Sequence, residues 1–244
     1  IVLSGRFYIY KGIANTYMVG KMGPGIYDLD AFPYSTIQAP KEKSVITYSS
    51  NFNTYKLSKA ERKYIEDLET TAFLVYKGNT LVYEEYWDEH NAKTVSNSFS
   101  VAKTVVSMLV GIAVEDGDIK SLDDPIHLYL KELKSKKIGK ITVRDLLTMS
   151  SGLDWTESGK NPLSDNAESY YGEDLRRLVM GQNLISKPGK VFKYQSGNSQ
   201  LLGFIVESAT GKDLSKYAQE KLWSKLGMEH NSYWSLDKKN GDEK

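Results

Sequence analysis

The sequence predicts a mixed α+β chain, with a short antiparallel hairpin in front and a mainly helical body behind it. Residues 72–76 and 81–87 are rich in strand-forming side chains, and Lys77-Gly78-Asn79-Thr80 between them carries the Gly-Asn signal of a tight hairpin turn. Residues 100–114 follow as a helical run that is apolar almost all round, the pattern of a helix buried in the middle of a body.

The remaining elements follow in order. Residues 1–70 show Gly, Pro and Tyr with little period, so they read as an extended arm wrapping a body. Residues 71–95 hold the hairpin. The apolar helix stops at Glu115-Asp116-Gly117, where glycine suits a left-handed cap. Thr142-Val143-Arg144-Asp145 has the spacing of a capping box in front of Leu146-Leu147. Two more helices are expected over 199–210 and 213–226, ending at Gly211 and Gly227. Residues 151–175 and 181–193 are rich in Gly, Ser, Asn and Pro and read as loops. Residues 96–230 thus form a mainly helical subdomain, and 231–244 begin a return to the sheet. One hairpin with only helices after it leaves that sheet unfinished.

Bulk composition excludes several functions. Lys plus Arg number 32 against 31 for Asp plus Glu, so no net field attracts nucleic acid. The chain has no Cys, which removes thiol catalysis and Cys-based zinc sites. His90, His127 and His230 are scattered, none in a metal-binding spacing, so neither metal nor cofactor is expected. No run of 18 apolar residues exists, hence no membrane span within these 244 residues. Ile1 is not a natural start. Ile1-Val2-Leu3 fits the tail of a removed signal or anchor, and equally a tag or domain cut.

The chemistry begins at Ser100-Val101-Ala102-Lys103. On a helix, residues three apart share a face with Cβ atoms about 5–6 Å apart, so an amine at Lys103 reaches a hydroxyl at Ser100. A serine hydroxyl is a weak nucleophile until a base takes its proton. Lysine does so only when neutral, and apolar surroundings favour that form. Ser100 also stands at the helix start, where free N–H groups and the positive dipole end favour a developing oxyanion. The plainer reading is an ordinary N-cap serine. Ninety residues on, Tyr194 lies in a loop just before a helix, placed to bond both members of the pair and to relay a proton. The alternative is that Tyr194 packs beside Phe192. Ser164-Asp165-Asn166 offers a second serine motif, but the residues after it read as loop. It reads better as part of a cleft rim over 154–172, with Trp155 and Tyr170 or Tyr171 touching substrate.

Three ordered blocks accompany these residues. Ser98-Phe99-Ser100-Val101-Ala102-Lys103-Thr104 comes first, followed by residues 141–153 and the stretch from Pro188 to Gly203. With Leu222-Trp223-Ser224-Lys225-Leu226-Gly227-Met228, the set resembles the serine β-lactamase-like superfamily. The matching branch holds class C β-lactamases, D-alanyl-D-alanine carboxypeptidases and esterases. Tyr194-Gln195-Ser196-Gly197-Asn198 is most similar to the 6-aminohexanoate-oligomer hydrolase type. The resemblance implies a β-lactamase/transpeptidase-like fold, an α/β sandwich with an antiparallel sheet plus an all-helical subdomain. It also implies Ser100 as nucleophile, Lys103 as base and Tyr194 as proton relay.

Two departures qualify it. Ser196 stands where the family has Asn, and this shifts the expected substrate from a lactam toward an ester or linear amide, with Ser196 as a substrate or network contact. The family's Lys- or His-x-Gly strand is missing. Lys239-Asn240-Gly241 imitates it in a hydrophilic stretch and is assigned no role. The C-terminal strands of the family sheet are therefore expected outside this chain, with the rest of the same protein as a candidate partner.

The expected activity is that of a serine hydrolase on a small ester or amide. A rival reading is a non-catalytic module that binds cell-wall peptide or a protein partner, and a further one is a β-lactamase or D-alanyl-D-alanine carboxypeptidase. By resemblance, the location is periplasmic or extracellular, with an N-terminal anchor.

Overall fold

The computed structural model describes residues 6–244, so the reading of Ile1-Val2-Leu3 falls outside the described residues. In chain order the first elements are α1 (Tyr8–Asn15), β1 (Tyr34–Ile37), α2 (Lys59–Asp67), β2 (Ala72–Lys77) and β3 (Thr80–Tyr86). Five helices follow: α3 (Ala102–Glu115), α4 (Val143–Leu147), α5 (Asp165–Tyr171), α6 (Leu175–Met180) and α7 (Ser196–Thr210). Last come α8 (Leu214–Ala218) and β4 (Ser232–Ser235). The chain divides into two compact units, one from residues 43–96 and one from residues up to 42 together with 97–244.

The smaller unit is the hairpin and its support. β2 and β3 pair antiparallel, with Val75 opposite Tyr83 and Lys77 opposite Thr80. Gly78 and Asn79 both have positive φ, 55° and 58°, as the two central residues of a type I′ turn require. Asn53 pins β3 from the side: its Oδ1 accepts the Glu84 N–H at 2.8 Å, and its amide donates to the Glu84 carbonyl. α2 opens with a complete capping box, Ser58 to the Glu61 N–H and Glu61 back to the Ser58 N–H.

The larger unit is built on α3 and α7. Leu109, Val110 and Ala113 of α3 are fully buried, as are Leu201, Ile205 and Val206 of α7. These two helices pack together, with α4 also against α7. Thr142 accepts the Asp145 N–H at 3.1 Å and Asp145 the Thr142 N–H at 3.0 Å, so the expected capping box starts α4. α7 ends at Gly211 with φ 69°. The expected helix over 213–226 is α8 continued through a π-helical turn, Gln219–Trp223, and then Ser224–Leu226, ending on left-handed Gly227.

Three expectations need correction. α3 is not enclosed: Val106, Leu109, Val110 and Ala113 are buried, while Val101 is 67% and Met108 49% exposed. Its packing partner α7 lies along one side, so the apolar residues on the other side stay open. The first 70 residues are not a featureless arm. They hold a helix, α1, packed on α5, and a strand, β1, paired antiparallel with β4, Tyr34 opposite Ser235 and Ile37 opposite Ser232. The return after residue 230 therefore meets the N-terminal segment, and residues 43–70 fold with the hairpin. Finally, residues 165–171 are a helix rather than a loop, because Ser164 caps it by accepting the Ala167 N–H at 3.1 Å. Among the described residues no helix is long and apolar enough to cross a membrane.

Two stability outcomes follow from this packing. Leu109→Ala leaves a cavity in the α3–α7 contact and lowers the unfolding free energy by about 2–5 kcal/mol, whereas Met108→Ala changes it by about 1 kcal/mol or less. Urea titration of both variants checks the pair. Burial, joined by the charges of Glu243, Asp242 and Asp213, raises the Glu207 carboxyl to about 7 despite its acceptance of the Leu214 N–H. A carboxyl raised in the folded state contributes stability below its unfolded pKa of 4.5 and loses it as pH rises through about 7. Glu207→Gln is therefore expected to stabilise the protein at pH 8 and to have little effect at pH 4, measured by thermal unfolding at both.

Candidate active site

Ser100 lies in the 3₁₀ turn Phe99–Val101 that leads into α3, and Lys103 lies in the first turn of that helix. The Lys103 Nζ donates to Ser100 Oγ at 3.2 Å. The same Nζ sits 5.2 Å from the ring centroid of Tyr194, a cation–π distance. Lys103 thus meets Tyr194 through the face of its ring. Ser100, Lys103 and Tyr194 share one open pocket of about 470 Å³, walled on its apolar side by Leu146, Met149 and Leu202. Ser100 and Tyr194 are exposed, and Lys103 is half-buried.

The backbone under the serine is unusual. Phe99 has φ 44°, a left-handed conformation that costs a bulky residue on the order of 1–3 kcal/mol. Asn97 holds it there: its Oδ1 accepts the Phe99 N–H at 2.8 Å, while its own N–H bonds the Ile26 carbonyl at 2.6 Å. Met149, which lines the pocket, is also left-handed at φ 54°. Its carbonyl accepts the Lys193 N–H at 2.7 Å, and its sulfur meets the Asn198 amide at 3.3 Å.

Tyr194 is placed by its neighbours. Gln195 is fully buried, and its Nε2 donates to the Leu153 and Trp155 carbonyls at 2.9 Å each. Ser196 gives its N–H and its hydroxyl to the two oxygens of Glu157, each at 2.6 Å. Trp155 Nε1 donates to the same carboxylate at 2.8 Å. Trp155 itself is fully buried, which corrects its place on the cleft rim: its ring lies against Gly197, where an added Cβ would be 2.6 Å from Trp155 Cε3. Asn198, also fully buried, accepts the Ser151 hydroxyl at 2.5 Å.

The other candidates read from the sequence separate from this pocket. Tyr170 packs edge-on to Phe32, and burial, with the charges of Glu157 and Tyr194, pushes its phenol up. It lines a second cavity. Ser164 donates to the Ser158 and Asn161 carbonyls, and Asp165 accepts from Thr156 and Gln182, so both serve the start of α5. Lys239-Asn240-Gly241 forms a tight turn with Asn240 at φ 58°, closed by the bridge from Leu236 to Glu243. Glu157, Asn198 and Met149 were not picked out from the sequence. A carboxylate two residues after a tryptophan in a polar loop carries no signal that it will clamp a loop forty residues away.

Comparisons with known proteins bear on the family and the fold. The family profile described as Beta-lactamase matches residues 57–240. Protein flp of Staphylococcus aureus (strain N315) is 27% identical over 122 residues, 49% of this chain and 24% of that protein. A 6-aminohexanoate-dimer hydrolase of Paenarthrobacter ureafaciens is 24% identical over 190 residues, 71% of this chain and 46% of that protein. A solved structure from Bacillus anthracis, provisionally described as a 6-aminohexanoate-dimer hydrolase, superposes with a TM-score of 0.76 at 22% identity. That match covers 89% of this chain and 62% of the other. The matched part of the chain therefore spans 24% to 46% of the length of these curated relatives. The expected β-lactamase/transpeptidase-like, mixed α+β fold is the one observed.

Gly197→Ala tests how tightly the Tyr194 loop is held. The new methyl collides with the Trp155 ring, and the variant is expected to lose about 1–3 kcal/mol of stability, read by denaturant unfolding.

Proposed function

Since the chain belongs to the Beta-lactamase family, we propose that it is a hydrolase working through an acyl-enzyme on Ser100. The observation that carries this reading is the 3.2 Å contact between Ser100 and Lys103 in a pocket that Tyr194 shares. In its neutral form Lys103 takes the hydroxyl proton as Ser100 Oγ attacks the substrate carbonyl. The tetrahedral oxyanion develops at the positive end of the α3 dipole. The proton passes through Lys103 and Tyr194 to the departing alcohol or amine, leaving the acyl group on Ser100. Water, activated by the same pair, then attacks the ester and frees the enzyme. Tyr194 Oη reaches the leaving group by a rotation of the side chain, a change of the kind that substrate binding brings about.

A small ester or linear amide is the proposed substrate. Ser196, in the position where the resemblance expects Asn, spends its hydroxyl on Glu157 rather than presenting an amide to a lactam side chain. The resemblance also supports placing the protein in the periplasm or outside the cell, which fractionation of the native host would check.

Incubation with a fluorophosphonate followed by mass spectrometry is expected to find one adduct, on Ser100, and none in Ser100→Ala. Lys103→Ala is expected to slow labelling about 10²–10⁴-fold, the size of a lost general base. Labelling that persists in Ser100→Ala overturns the assignment. A screen of p-nitrophenyl esters, short amides, a D-alanyl-D-alanine peptide and a chromogenic cephalosporin then separates esterase or amidase from carboxypeptidase and β-lactamase. Binding of the peptide without turnover would favour the non-catalytic module.

A further inference from the structure

Three ties hold the main chain on either side of Tyr194. The Lys193 N–H donates to the Met149 carbonyl at 2.7 Å. The Gln195 amide donates to the Leu153 and Trp155 carbonyls at 2.9 Å each. The third tie is the Glu157 carboxylate, which accepts the Ser196 N–H and hydroxyl at 2.6 Å and the Trp155 Nε1–H at 2.8 Å.

The first two ties end on main-chain carbonyls, as ordinary loop packing does. The third is of a different kind. Glu157 is exposed, so water alone would satisfy its charge, yet both its oxygens are spent on protein donors. Its bonds to Ser196 are charge-assisted and join segments 39 positions apart in the chain. One of those segments carries Tyr194, two residues before the clamped Ser196. The chemistry gives this ordering a use. A misplacement of about 1 Å near a reacting group costs about 10²-fold in rate. Rotation of the Tyr194 side chain brings its Oη to the leaving group only while the main chain beneath it stays fixed.

We infer that Glu157 is a positioning residue: by joining Ser196 to Trp155 it fixes the main chain from which Tyr194 swings, and so governs proton delivery to the leaving group. This rests on the reading of Ser100 as nucleophile and Tyr194 as proton relay. In acylation the bond from Ser100 Oγ to the carbonyl carbon forms. The bond from that carbon to the leaving oxygen breaks, its electron pair staying on the oxygen. The proton lost by Ser100 reaches that oxygen through Lys103 and Tyr194. An ethoxide needs this proton in order to leave, whereas a p-nitrophenolate departs as the anion. A displaced Tyr194 therefore penalises an ethyl ester selectively, while a general loosening of the fold penalises both esters.

Two measurements test this. Ethyl acetate and p-nitrophenyl acetate share one acyl group, so the ratio of their kcat/KM values reports the leaving-group step. Glu157→Ala is expected to lower that ratio at least tenfold. Glu157→Gln keeps an acceptor oxygen and offers an N–H that the Ser196 hydroxyl turns to accept, and should bring the ratio back to within threefold of the unaltered protein. Tyr194→Phe should lower the ratio too, and Glu157→Ala added to it should lower it less than twofold further. An unchanged ratio in Glu157→Ala, or full additivity in the double variant, overturns the proposal.

The second measurement needs no turnover. Amide hydrogen exchange at Lys193, followed by NMR, is expected to be at least tenfold faster in Glu157→Ala, with the Leu109 amide of α3 within twofold. Lys193 keeps its own acceptor in this variant, so faster exchange reports movement of the loop. Unchanged exchange at Lys193 overturns the proposal. If Ser100→Ala retains activity, or Tyr194→Phe leaves the ratio unchanged, the hydrolase mechanism fails instead, and exchange still decides whether Glu157 holds the loop. Should Glu157→Ala fail to fold, Ser196→Ala, which withdraws one donor, takes its place. At least threefold shifts are then expected in both readouts, and no shift overturns the assignment.

Discussion

The contact between α3 and α7 determines where everything else stands. Leu109, Val110 and Ala113 on one helix meet Leu201, Ile205 and Val206 on the other in a core from which water is excluded. At about 25 cal/mol per Å² of apolar surface removed from water, such a seam outweighs any single polar contact at the site. Ser100 and Lys103 stand at the start of one helix, and Tyr194 just precedes the other. Their meeting is therefore set by hydrophobic packing and needs no strong bond between the three side chains.

Packing alone would still leave the Tyr194 loop free to swing. The carboxylate of Glu157 removes that freedom by taking three donors at once, two from Ser196 and one from Trp155. Charge-assisted bonds of this kind are shorter and stronger than neutral ones. Beneath them, the buried Gln195 ties the loop to the Leu153 and Trp155 carbonyls. The exposed tyrosine is carried on a firmly tied base.

Local order was readable from residues whose partners are close in sequence. The Gly78-Asn79 turn, the Thr142–Asp145 capping box, the glycine stops at Gly211 and Gly227, and the Ser100–Lys103 spacing are all settled within a few residues. What was not readable depends on distant partners. Trp155 looked like a rim residue because its neighbours are polar, yet Gly197, 42 positions away, makes room for its ring. β1 lay hidden in a segment without period because its partner β4 is almost two hundred residues on. The open side of α3 could not be foreseen either, since apolarity says only that a face can be buried and not that something covers it.

Trp155 has one more consequence. Its indole is sealed from solvent, yet its N–H is bonded to the carboxylate that holds the Tyr194 loop, and its ring lies under the residue that follows Ser196 in α7. A displacement of that loop alters the surroundings of this chromophore directly. With Trp87, Trp223 and Trp234 replaced by Phe, the remaining ultraviolet emission is an optical gauge of the loop that requires no attached dye.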